Sequence, residues 1–137
     1  MDKQDRRLRV WLAGGDGVVL FIVTLIGFST HGELSGAGLR LLSTLLPLGA
    51  AWAVAASALG LYQLSRAANW KQLWRVLLAM LLAAPLAGIL RGFWLNGVVI
   101  PVFVTVLGAT SALGLLIWRA VFTRLAASRF SQAGRHG

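Results

Sequence analysis

Long apolar runs and short polar segments alternate along the chain. A bilayer crossing needs about 20 mostly apolar residues, and four runs meet that need: 10–29, 39–62, 74–94 and 98–118. The segments between them differ in character. THGELSGAG is glycine-rich. QLSRAANWKQ carries a surface turn. LNG joins the third and fourth runs so tightly that they must be antiparallel neighbours. ASRFSQAGRHG is polar and glycine-rich and is expected to fray. The pattern predicts an all-α polytopic membrane protein. Its four-transmembrane-helix bundle covers 10–124, between a basic N-terminal segment 1–9 and a flexible basic tail 125–137.

Composition agrees with that reading. Of 137 residues, 58% are hydrophobic and only four are acidic, more apolar surface than a soluble domain of this length can bury. The net charge of +9 could suggest nucleic acid, but the basic residues fall between apolar runs, which is the membrane pattern. Eleven of the thirteen Lys and Arg residues lie before the first run, between the second and third, or after the fourth; Arg40 and Arg91 alone lie on the other side. The positive-inside rule therefore puts both termini in the cytoplasm, as a multi-pass protein of the cell inner (plasma) membrane. Trp11, Trp70, Trp74 and Trp118 mark the inner interface, and Trp94 the outer one. The first run is preceded by a basic stretch like that of a leader, but it carries Asp16 and ends without a small-x-small cleavage pattern. It reads as a retained span.

Small residues mark faces where helices can approach closely. Gly49, Ala53, Ser57 and Gly60 run along the second span, Gly108, Ser111 and Ala112 along the fourth, and Gly15 and Gly27 stand in the first. Pro47 and Pro85 lie inside the second and third spans, where proline removes an intrahelical hydrogen bond. Pro101 is in the first turn of the fourth, where it costs little.

Chemistry is sparse. With no cysteine and two histidines, His31 and His136, disulfides, thiolate metal sites, iron–sulfur clusters and thioether-linked haem are excluded, and one copy cannot supply two intramembrane histidine ligands to a haem. No metal-spaced acid cluster, glycine-rich phosphate loop or Ser/His/Asp set occurs; no cofactor and no metal are expected, and catalysis is not the favoured reading. Asp16 is the exception. Counted from the interfacial aromatics at about 1.5 Å per residue, it lies roughly 7–8 Å inside the membrane, with Ser57 at a similar depth and Ser111 at about 10 Å. It is expected in the bundle interior, protonated or hydrogen-bonded, with those hydroxyls as partners. It serves as an interhelical hydrogen bond, as a proton or cation site or a polar contact for a ligand, or as an aspartate hydrated from the nearby cytoplasm. A second polar group, His31, Glu33, Arg40, Arg91 and Asn96, gathers at the outer end. There Arg91 is expected to snorkel or to pair with Glu33, or the group to bind an anionic headgroup or substrate.

Several stretches together resemble one family. GDGVVLFIVTLIGFSTHGE, LLPLGAAW and APLAGILRG are similar to small prokaryotic integral membrane proteins known as the domain of unknown function 3054 family. The resemblance covers about 14–119. It points to Gly15, Asp16, Gly27, His31, Pro47, Pro85 and Arg91, and implies a helical membrane fold without an assigned activity.

Three functional readings follow. The first is a non-catalytic accessory or stabilising subunit of a larger membrane complex, with the lipid bilayer, other membrane-protein subunits or further copies of itself as partners. The second is a small transporter or proton pathway using Asp16. Against a likeness to the small multidrug transporters, the charge bias specifies one orientation rather than an antiparallel dimer. The third is an enzyme or binder acting on a lipid or isoprenoid, with His31, Glu33 and Arg91 as its polar groups.

Overall fold

The computed structural model describes residues 2–30 and 38–133. It is helical throughout: α1 (Lys3–Thr30), α2 (Gly38–Ala58), a short α3 (Leu64–Ala67), a 3-10 turn (Trp70–Gln72), α4 (Trp74–Leu95) and α5 (Pro101–Ala133). Four of its helical segments are long and apolar enough to cross a membrane: Lys3–Thr30, Gly38–Ala58, Trp70–Leu95 and Pro101–Arg129.

α2 packs on α4, α4 on α5, α5 on α1, and α1 on α2, so each long helix touches two neighbours in a ring. The chain runs up, down, up and down, which brings the start of α1, the end of α2, the start of α4 and the later part of α5 to one end, called here the basic end. The main core joins Leu20, Leu48, Trp52, Met80 and Leu115 with the alanines of α2 and α4. A smaller cluster of Leu12, Ala67, Phe122 and Ala126 closes the basic end, with α3 tucked between α1 and α5.

Local chemistry explains the boundaries. α2 stops at a glycine in the left-handed region, Gly60 (φ 68°). The Leu61 amide donates to the Ala56 carbonyl and the Gly60 amide to that of Ser57, the paired bonds of a Schellman cap. Gly60 therefore ends the second helix rather than continuing its packing stripe, and the span closes earlier than residue 62. Asn96 (φ 49°) caps α4 in the same way: the Gly97 amide donates to Gly92 and that of Asn96 to Phe93. α2 and α4 continue through Pro47 and Pro85.

The tail expected to fray is helical as far as it is described, since α5 runs to Ala133, and 134–137 lie outside the described residues. The sequence RLAASR consists largely of good helix formers, and Phe122 and Ala126 are anchored in the small cluster. At about 1.5 Å per residue the helix is longer than a bilayer's hydrocarbon core is thick. The N-terminal segment is likewise helical from Lys3, whose amide donates to the Asp2 carboxylate.

Candidate functional site

α1 buries one narrow stripe: Leu12, Asp16, Leu20, Thr24 and Phe28, each four residues from the last. Four-residue steps stay on one face of a helix, so Asp16 points wherever the leucines point, into the bundle, and is 1% exposed. Gly15 makes the close approach possible. The Trp118 indole lies directly over it, in space that a Cβ would occupy. That contact brings Arg119, the next residue of α5, opposite Asp16.

The result is a buried ion pair, with Arg119 also 1% exposed. Its guanidinium grips the carboxylate with two prongs: Nε donates to Oδ1 at 3.1 Å and Nη2 to Oδ2 at 2.6 Å. Oδ2 also accepts from Trp52 Nε1 at 3.0 Å and from the Tyr62 hydroxyl at 3.1 Å. Arg119 Nη1 donates to the Leu61 carbonyl at 2.7 Å, and its Cζ lies 5.3 Å from the Tyr62 ring centroid. The left-handed turn at Gly60 folds Leu61 and Tyr62 back beneath the bundle to make these contacts. Tyr62 lies beyond the end of α2, and burial first, then the Asp16 charge, holds its phenol above its ordinary range. It is a neutral donor.

Taking two charges out of water costs several kcal/mol per ion unless geometry and further hydrogen bonds offset it. Here the fork is bidentate, the strong form of this pair, and the carboxylate accepts four protein donors in all. The network ties α1, α2, the following turn and α5 together.

The hydroxyl partners expected for Asp16 are not the ones it has. Ser57 is exposed on the outer face of α2. Ser111 is buried on α5 two turns away from Arg119, with no partner for its hydroxyl. Equal depth placed these serines near Asp16, but helix rotation decides which side chains meet. Arg119 counted in the sequence only as a topological charge, and Trp52 went unmarked. The available signal was helical: Ser111, Leu115 and Arg119 are four apart, so Arg119 continues the inward stripe of α5.

At the opposite end Arg91 is half-buried. Its Nε donates to Thr44 Oγ1 at 3.1 Å, and its Cζ lies 4.9 Å from the Phe103 ring centroid. His31 and Glu33 lie outside the described residues, as does any contact Arg91 makes with Glu33. Among the small residues, Gly108 approaches the Ala84 methyl, where a Cβ would come within 2.8 Å. Gly27 and Gly49 face open space, and Ala53 is exposed. Among the described residues no group of three His, Cys, Asp or Glu could hold a metal ion.

Fold and site thus define an all-helical protein with four helices long and apolar enough to cross a membrane, clamped at one end by a buried aspartate–arginine pair. The chain belongs to the family described as Protein of unknown function (DUF3054), whose profile matches residues 13–122, a stretch that contains every member of the Asp16 network. No curated protein and no solved structure matches the chain.

Proposed function

We propose that this protein is a non-catalytic accessory or stabilising subunit of a larger assembly in the plasma membrane, with both termini in the cytoplasm. The observation that carries the proposal is the saturation of Asp16. Both carboxylate oxygens are engaged by Arg119, Trp52 and Tyr62, so the one acid buried among the described residues is spent on holding helices together. A subunit of this kind acts through its shape and its lipid-level faces. α1 and α5 supply such faces, with Val18, Ile22, Ile26, Leu113 and Ile117 all exposed. The orientation rests on the charge bias, because Lys3, Arg6, Arg7, Lys71, Arg124 and Arg129 are exposed at the one end.

A proton pathway through Asp16 is the second reading. Buried polar side chains continue beyond the network as Thr24, Thr44 and Ser111, the last with an unpartnered hydroxyl. Leu20, Leu48 and Leu115 form part of the packed core and, by helical rise, stand between these groups and Asp16. Purification of the tagged protein from its native membrane in mild detergent separates the two. Stoichiometric co-purifying subunits support the accessory role. A clean homo-oligomer whose pH-driven flux in liposomes disappears in a well-folded Asp16→Asn variant would replace it with the proton pathway.

A further inference from the structure

Two arginines at the basic end converge on one oxygen. The Leu59 carbonyl, at the end of α2, accepts from Arg75 Nη1 at 3.1 Å and from Arg66 Nη1 at 3.5 Å. The Arg66 guanidinium also lies against Gly60, with the Gln63 side-chain amide beside it. Arg75 Nε donates to Gln72 at 2.6 Å, and its Cζ lies 5.3 Å from the Trp74 ring centroid. Both arginines are half-exposed, and among the described residues neither has a carboxylate within salt-bridge distance.

The carbonyl explains where the two cations sit, since an orphan carbonyl at a helix C-terminus attracts cations. It does not use them up. A guanidinium has five N–H donors; one hydrogen bond accounts for Arg66 and two for Arg75. Two like charges held side by side, with most of their donors unspent, are matched by a small polyoxygen anion, and Arg forks fit phosphate geometry. The location narrows the choice. Trp70 and Trp74, 70% and 54% exposed, are the residue type that lies at headgroup level.

We propose that Arg66 and Arg75 form a phosphate site that takes the headgroup of an anionic phospholipid. The shared chemistry is a phosphate oxygen cluster on two guanidiniums, and a soluble phosphate could in principle supply it.

The test is native mass spectrometry of the full chain in mild detergent, titrated with phosphatidylglycerol, phosphatidylcholine and inorganic phosphate. Wild type should retain phosphatidylglycerol about tenfold more tightly than phosphatidylcholine. The Arg66→Gln/Arg75→Gln double variant should lose that preference, while Arg6→Gln/Arg7→Gln, which removes two exposed charges elsewhere on the same end, should keep it. Because the first pair also caps α2, Arg66→Lys/Arg75→Lys serves as the folded control: it keeps both charges, loses the forks and should bind several-fold more weakly. Unchanged preference in Arg66→Gln/Arg75→Gln, or unchanged phosphatidylglycerol affinity in Arg66→Lys/Arg75→Lys, overturns the site, and so does an equal loss of preference in Arg6→Gln/Arg7→Gln. Displacement of the lipid by millimolar inorganic phosphate would overturn the headgroup assignment and identify a soluble phosphate as the ligand.

Discussion

Arg119 and Arg91 sit near opposite ends of the same bundle, and they are held in different ways. Arg119 is fully buried, gripped by a carboxylate and a carbonyl, and stacked near Tyr62. Arg91 is half-buried, with one side-chain hydrogen bond to Thr44 and the face of Phe103. A charge that can still reach the surface needs little from its neighbours, because its stem can lie on apolar groups while its head stays wet. A charge that cannot must have an opposite charge and a full set of hydrogen bonds. The basic end is therefore built around its arginine, whereas the other end accommodates one.

The strongest way to break that contrast is to strand one charge. Arg119→Leu leaves Asp16 buried without its partner and is expected to cost about 3–5 kcal/mol. Removing both with Asp16→Leu/Arg119→Leu should recover much of the loss, since apolar replacement of a buried pair is often close to neutral. Unfolding measured in mild detergent for the two single variants and the double gives the coupling directly. A double variant as damaged as the sum of the singles would show that the two residues do not act as a unit.

Next in size is the contact that sets the register of α1 against α5. Gly15→Ala forces the Trp118 ring to move and should destabilise by about 1–3 kcal/mol, as overpacking does. Its neighbour Gly14 faces open space, and Gly14→Ala should be neutral or stabilising by up to about 1 kcal/mol through helix propensity. Thermal melts of the two variants side by side check the opposite signs.

Tyr62→Phe removes one donor to Asp16 and keeps the ring, so about 1 kcal/mol is expected. The same variant sharpens a pH effect. The folded phenol titrates above its ordinary value of 10.0, so its contribution is fully present below that pH and is lost as pH rises through it toward the folded value. Wild type should weaken at alkaline pH more than Tyr62→Phe, as read by detergent melts across that range.

The smallest effect is at the other end. Thr44→Val removes the hydrogen bond from Arg91, which can turn toward water, and should cost about 0.6 kcal/mol, the average for a side-chain hydrogen bond between membrane helices. A loss as large as that of Arg119→Leu would erase the distinction between the two ends.

Much of this architecture was legible in the chain. Four apolar runs become the four long helices, and Pro101 opens α5 as its fixed φ allows. The Asp16 stripe was also readable, because a four-residue spacing is a property of the helix alone. So was the fact that an acid among leucines needs a partner. Which partner it takes was not readable. Depth in the membrane follows from counting residues, but contact depends on the rotation of each helix about its axis and on the distance between axes. Those were decided by Trp118 lying over Gly15 and by Gly60 turning Tyr62 back under the bundle. Asp16 and Arg119 are separated by 103 residues. Nothing local links them, and their pairing exists only once α5 has packed against α1.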